Sequence, residues 1–538
     1  MKQAKQIFWN ALLLTVASLF MRTVGVAFQV AVSNKAGAEA MGLYSLMSGV
    51  YGFALTIATS GIHFGVTRMV AETVSQGKEN RVGAVLRRAA LYAAFFGCLA
   101  ALLLFSFSDL IGTYWIKDQR TIPSLRLFAV TLPLISLASV FGGYFSAVRR
   151  TYKSAALQVG EQGVKVFLTM NLLALMSHGG TEQILCALVL GGAGAEVVSF
   201  LVHLPLFLLD KSRHFPKSAR KTGKEEGRNL IKITLPMAFT TYIRSGLLTL
   251  QHILIPEGLR NSGRSHAASL AAYGSIHGMA LPIILYPAAL ISSFSSLLIP
   301  TMAECRVQKS NRRINYMVSR VWSLALFFSI GVAGILICFS SEFGDLLYPN
   351  TQTGRYIRLL APLIPIMYID TATDAMLKGL GEQVFSMNVN VMDALISVFL
   401  VWILIPKYGI NGYIITIYIS ECFNTVLSIT RLLCVTKTST RLLKWVYKPL
   451  AAIVCATLAA RVILSFLPFQ TLSTFLLILH CGLTALLYTL LLLFLRAIDR
   501  EDVSWIASLF RKNNSEILQE NPTKLSPLKR GAKRFGKL

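Results

Sequence analysis

Charge is scarce in this 538-residue chain: Asp, Glu, Lys and Arg together make up 14%. Soluble domains carry about 25%, so these charges cannot cover a water-facing surface, and a large soluble enzyme is excluded. Acid is scarcer than base, 25 Asp and Glu against 52 Lys and Arg, which leaves +27. The eight cysteines include no Cys-x-x-Cys pair and sit almost entirely within apolar runs, which excludes a disulfide or zinc framework. The eight histidines are scattered without ligand spacing. No signal peptide is expected, because the first apolar stretch is long, holds Arg22 and is followed by many more. What is abundant is apolar: 54% of residues are hydrophobic and the mean hydropathy is +0.59. The composition is that of a polytopic membrane protein. Its basic excess belongs to cytoplasmic loops and anionic lipid headgroups, not to nucleic acid.

A helix needs about 20 apolar residues to cross a bilayer. Fourteen stretches qualify: 7–33, 43–70, 84–107, 122–147, 155–177, 183–209, 230–255, 268–300, 316–339, 355–377, 385–405, 410–432, 446–467 and 473–495. With the N-terminus in the cytoplasm, 37 Lys and Arg fall inside, nine outside and six within spans. That asymmetry predicts a multi-pass protein of the cytoplasmic membrane with both termini in the cytoplasm. The fold class is all-α, and the chain divides into a six-helix lobe over 1–209, a basic linker over 210–229, a second six-helix lobe over 230–435, two further helices over 436–496 and a basic, disordered tail over 497–538.

Laid over itself with Glu72 on Glu304, the sequence partly matches its own second half. The same shift puts Arg88 on Arg320, Phe95-Phe96 on Phe327-Phe328, Arg126-Leu127 on Arg358-Leu359, Pro133 on Pro365 and Glu161 on Asp393. It maps each span onto the sixth one after it. Six is an even number, so the two copies share one orientation: a parallel repeat with its pseudo-two-fold along the membrane normal. Two such lobes suit alternating access around a cavity between them.

The pattern Arg22-Thr-Val-Gly25, Ala36-Gly-Ala-Glu39-Ala-Met-Gly42-Leu-Tyr44, Arg68-Met-Val-Ala-Glu72, with Tyr273-Gly-Ser-Ile-His-Gly-Met-Ala-Leu-Pro282, Ile299-Pro300-Thr-Met-Ala-Glu304 and Leu377-Lys-Gly379-Leu-Gly381, resembles the polysaccharide-transporter group of the multidrug/oligosaccharidyl-lipid/polysaccharide exporter superfamily. Within it, the likeness is to the stage V sporulation protein B family, related to lipid II flippases. The resemblance covers spans 1 to 12 and, more loosely, 13 and 14. It implies two six-helix lobes, a central cavity, export of undecaprenyl-linked sugars, and a lipid-tail groove lined by the two extra helices. The superfamily also contains drug/cation antiporters.

A charge at the bilayer centre costs roughly 2.5–3.5 kcal/mol on insertion scales, so charged residues within spans are candidates for function. Arg22 and Arg244 lie in the first spans of the two lobes, and a guanidinium suits a pyrophosphate. Arg68 is a further substrate-binding candidate, or a snorkelling headgroup contact. Glu161 and Lys165 are i,i+4 on one helical face and can pair. Glu196, Asp393 and Glu421 lie near mid-depth, and Asp370 and Asp374 are also i,i+4. With Glu161 and Lys165 they are candidates for gating or for carrying a coupling ion, H+ or Na+; pairing with neighbouring bases or hydroxyls is the alternative. Pro133, Pro236, Pro282, Pro287, Pro362 and Pro365 fall within spans, with Pro282 and Pro287 expected to bend the eighth. The expected function is a flippase for a lipid-linked oligosaccharide or peptidoglycan precursor, acting as a monomer without cofactor. The alternatives are a drug/cation antiporter and a membrane enzyme acting on lipid-linked sugars.

Overall fold

The computed structural model describes residues 2–148, 150–176, 180–215, 224–349, 351–438, 443–465 and 474–498. Positions 216–223 of the expected linker and 499–538 of the expected tail lie outside the described residues. Among the described residues every regular element is a helix. The first half holds α1 (Lys2–Thr59), α2 (Ile62–Ser75), α3 (Val82–Ser106), α4 (Ile122–Ala147), α5 (Thr151–Met176) and α6 (Thr181–His214). The second half holds α7 (Lys224–Asn261), α8 (His266–Gly274), a π-helical turn over Ser275–Ala280, α9 (Leu281–Leu285), α10 (Ala288–Val307), α11 (Asn311–Cys338), α12 (Thr353–Leu360), α13 (Ile364–Gly379), α14 (Gln383–Tyr408) and α15 (Ile410–Thr436). α16 (Lys448–Ser465) and α17 (Thr474–Phe494) follow, packed on each other and on α11.

By length and composition, eleven helices among the described residues are long and apolar enough to cross a membrane. The difference from fourteen has physical sources. Spans 1 and 2 are two helices that follow each other without a loop and count as one continuous stretch; they are separated only at Gly37, whose φ of 80° and ψ of 167° leave the helical region where glycine bears no Cβ penalty. Span 8 is split at Tyr286–Pro287. α5 and α7 carry charge in mid-run, and α13 has only 16 residues because Ala361–Leu363 forms a 3-10 turn before it. The prolines sort accordingly. Pro282, Pro362 and Pro365 stand where the helix type changes, after the π turn and at the 3-10 turn Ala361–Leu363, and Pro287 marks the break between α9 and α10. Pro133 is interior to α4.

The two halves use the same packing. α3 lies on α4, α5 on α6 and α2 on α4; α11 lies on α13, α14 on α15 and α10 on α13. Ser136 and Tyr368, which the repeat places on each other, both donate a hydrogen bond to a backbone carbonyl of their lobe's second span, Ala58 O at 2.8 Å and Ile284 O at 3.0 Å. The seam between the lobes is built chiefly on two antiparallel helix pairs, with α2 and α3 also meeting α7. Before Gly37, α1 runs beside α8–α9: Arg22 Nη2 donates to Leu285 O and Gln29 Nε2 to Gly278 O, both at 2.8 Å. After Gly37, α1 runs beside α7: Thr249 Oγ1 donates to Gly49 O at 3.0 Å and Thr56 Oγ1 to Ser245 Oγ at 3.1 Å. The repeat exchanges these pairs. At the end away from the termini the backbones touch. A Cβ at Gly274 would lie 2.1 Å from Ala38 O, and one at Gly42 2.2 Å from Leu270 O. Outward faces bear exposed Phe95, Phe167, Trp402, Leu458 and Phe494, as lipid contact requires.

Candidate functional site

Between the lobes, the first half of α1, the start of its second half, α5, α6 and the segment from the π turn through α9 enclose a cavity of about 430 Å³. Its polar lining is Arg22, Gln29, Tyr44, Gln162, Lys165 and His277; the remaining lining residues are apolar or glycine. Arg22 is fixed by its bond to Leu285 O, and Thr23 beside it meets Tyr286 OH at 2.9 Å. A carbonyl accepts a hydrogen bond but cancels no charge. Two cationic side chains therefore line the cavity, and among the described residues no carboxylate does.

The carboxylates stand behind the wall. One turn from Lys165, Glu161 accepts a hydrogen bond from Ser199 Oγ at 2.7 Å and lies against Glu196, which is within electrostatic reach of Lys165. The second lobe has a matching group. Asp393 accepts from Ser420 Oγ at 2.5 Å, Glu421 is within reach of Asp370 and Asp393, and Arg244 is within reach of Asp393. Asp370 is bonded by Ser428. Asp374 pairs with Lys378 at 2.5 Å and accepts from Ser386. Among the described residues, no group of three or more His, Cys, Asp or Glu could hold a metal ion.

Arg22, expected at the substrate, and Lys165, expected in gating or ion coupling, line one cavity. Arg244 is not among its lining residues and sits instead by Asp393. The sequence expectation has Arg22 and Arg244 facing a single cavity; the structure places Arg22 in this lining and Arg244 outside it. Arg244 is repeat-related to position 12, not 22, so the two guanidiniums stand at different depths. Arg68 pairs with Glu72 at 2.7 Å on the exposed face of α2, both half exposed, and does not line the cavity. Gln29, Tyr44, Gln162 and His277 were not anticipated. For Tyr44 and His277 a signal existed, since both fall inside the motifs that carry the family resemblance.

Ion pairs tie the lobes together at the end away from the termini. Lys117 reaches Glu257 at 2.5 Å, His266 lies 3.5 Å from Asp118, and Arg120 bonds both Asp118 and Glu39. Burial would raise the Asp118 carboxyl, but the Arg120 bonds and charge hold it below the ordinary carboxylate value.

Comparisons with known proteins agree with this architecture. A family model described as "Polysaccharide biosynthesis protein" matches residues 7–306, and one described as "MatE" matches residues 262–403. Stage V sporulation protein B of Bacillus subtilis (strain 168) is 23% identical over 515 residues, covering 94% of this chain and 99% of that protein. A solved structure of the lipid II flippase MurJ in an inward closed conformation superposes with a TM-score of 0.67 at 13% identity, covering 93% of this chain and all of that one. An inward-facing multidrug resistance MATE family transporter of the MOP superfamily superposes with a TM-score of 0.63 at 15% identity, covering 79% of this chain and all of that one. At these identities the structural likeness establishes the fold alone, that of a multi-pass helical membrane protein.

Proposed function

The chain belongs to the polysaccharide biosynthesis protein family, and on that premise we propose that it is a flippase for an anionic, lipid-linked sugar of the undecaprenyl-pyrophosphate type. In this reading it resides in the cytoplasmic membrane with both termini inside and works as a monomer by alternating access between its lobes. The observation that carries the proposal is the cavity lining: Arg22 and Lys165 without a carboxylate. A diphosphate between them meets both cations through charge-assisted bonds, and the planar fork of Arg22 can give two of them. The acid groups around Glu161, Glu196, Asp370, Asp374 and Asp393 are our candidates for the coupling ion, H+ or Na+. No catalytic step is assigned to any residue.

The test is transport by the purified protein in proteoliposomes carrying a fluorescent undecaprenyl-pyrophosphate sugar. Arg22→Ala removes bonds of about 1.5–3 kcal/mol, so transport should fall at least tenfold while the protein still elutes as a folded monomer. Arg22→Lys should recover only part, because an ammonium keeps the charge and loses the fork. Full transport by Arg22→Ala would refute the anionic-site reading. The antiporter alternative is favoured by one observation, the Glu161–Glu196 pair immediately behind Lys165. It predicts instead uptake of a cationic dye such as ethidium, abolished by Glu196→Gln.

A further inference from the structure

Three side chains of the second lobe form a polar group that the transport reading leaves unused. His252 lies on α7, Tyr273 on α8 and His277 in the π-helical turn Ser275–Ala280. Tyr273 is fully buried, and its hydroxyl is 2.8 Å from His252 Nδ1. The rings of His252 and His277 lie 4.6 Å apart, edge to face, and those of Tyr273 and His277 are 5.2 Å apart. His252 is pressed against the backbone of α1, where a Cβ at Gly49 would come within 3.2 Å of its ring. His277 lines the cavity that Arg22 and Lys165 line. The group therefore runs from a buried hydroxyl, through one imidazole, to a second imidazole at the cavity. The wider π turn re-aims His277 relative to an α-helical course, as single π turns do at functional sites.

The charged and titratable groups facing this pair come from every neighbouring element. α1 contributes Arg22 and Tyr44, and α5 contributes Lys165. Tyr413 of α15 is within reach of Tyr273, and α12, which packs on the π turn, carries the buried Tyr356. Further out on α7, Glu257 is held by Lys117 and Arg260. Below on α7, Arg244 faces Asp393 of α14, about 12 Å along the helix from His252. Among the described residues, none of the groups lining the cavity is acidic. With the cavity empty, a proton on His277 would add a third positive charge beside Arg22 and Lys165. With a doubly charged phosphate group in place, the same proton neutralises. Two imidazoles in contact also hold one proton more readily than two.

We propose that His277, backed by His252 and Tyr273, is a proton-binding site that fills when an anionic phosphate headgroup enters the cavity beside Arg22 and Lys165. The proposal rests on the anionic-substrate reading above. Linkage makes the effect reciprocal: the anion promotes proton binding, and lowering the pH tightens the anion. Tyr273 and His252 act as positioning groups: the Tyr273 hydroxyl fixes the tautomer and orientation of His252, and the two rings hold the His277 imidazole by contact.

The experiment uses the full chain in detergent with geranylgeranyl pyrophosphate as the probe. Binding is measured by calorimetry at pH 7 in two buffers of different ionisation enthalpy, which gives the protons taken up per probe bound. The probe's own titration cancels in the difference between wild type and His277→Gln. The expected result is an uptake in wild type larger by close to one proton than in His277→Gln. Probe affinity in wild type should fall as the pH rises from 6 to 8, by up to tenfold per unit, more steeply than in the variant. His252→Gln and Tyr273→Phe should reduce the uptake while leaving the probe bound. If His277→Gln is recovered poorly, the pH profiles of wild type and Tyr273→Phe decide the matter, and identical slopes overturn the proposal. Equal proton uptake by wild type and His277→Gln overturns the proposal and leaves the anionic cavity standing. Failure of the wild-type protein to bind the probe at any pH overturns the anionic reading, and this site with it.

Discussion

The acid of span 5 in the first lobe and its counterpart in span 11 are built alike and surrounded differently. Glu161 takes a hydroxyl from the following helix, Ser199 of α6; Asp393, its repeat mate, takes one from Ser420 of α15. Each has a second carboxyl near it on that same partner helix, Glu196 and Glu421. One turn further along, the two part. The first lobe has Lys165, which lines the cavity, whereas position 397 is serine, and its hydroxyl donates to Ser420 at 2.9 Å. The repeat has kept an acid–hydroxyl contact in both lobes and placed a cation in only one. The cavity is therefore asymmetric: with Arg22 also in the first lobe, the positive wall belongs to the first lobe, and the second lobe supplies His277 and apolar surface. A headgroup held between the lobes would be anchored on the first and sensed by the second.

The comparison breaks most directly at Lys165. Lys165→Met removes a cavity cation and leaves Glu161 and Glu196 without their nearby base. We expect the largest effect here, a loss of about 1.5–3 kcal/mol in binding of geranylgeranyl pyrophosphate, roughly 10- to 150-fold, with transport lost in parallel. Unchanged binding would mean that the asymmetry has nothing to do with the anion.

A smaller difference separates the acids. Glu161→Gln removes a negative charge next to Lys165 and should tighten probe binding by about 1 kcal/mol, roughly fivefold. Asp393→Asn lies beyond the cavity lining and should leave probe affinity unchanged. It strips Arg244 of a nearby acid, however, and should lower the unfolding temperature of the detergent-solubilised protein. Equal affinity changes in the two variants would show that both acids act on the cavity alike.

The alignment of Glu161 with Asp393, and the candidacy of Arg22 and Lys165, were legible because a charge inside an apolar run is costly and therefore visible. The lobe architecture was legible for the same reason, through the matched Arg, Pro and acid positions. Which side of a helix faces the cavity was not. In a helix apolar all round, the lipid face and the packed face have the same composition, so periodicity carries no direction. That is why Arg244 could not be separated from Arg22, and why Gln29, Gln162 and His277 went unmarked. The break at Gly37 was likewise hidden, since one glycine among many does not declare its φ. The seam at Gly42 and Gly274 depends on two backbones from different lobes meeting, which no local pattern encodes.

The smallest expected effect lies at Ser397, and it sharpens the comparison most. Ser397→Ala deletes a neutral hydroxyl-to-hydroxyl bond worth about 0.5–1.5 kcal/mol, while Ser420 continues to donate to Asp393. In a chain of this size that should lower the unfolding temperature by about 2 °C or less, with transport and probe affinity as in wild type. Lys165→Ala, at the repeat-related position, should show the reverse weighting: a large loss of binding that outweighs any fall in unfolding temperature. The two alanine variants, measured side by side for unfolding temperature and for probe affinity, separate a position that holds a lobe together from one that holds an anion. If Ser397→Ala also loses the probe, the second lobe takes part in anion binding, and the cavity's positive wall does not belong to the first lobe alone.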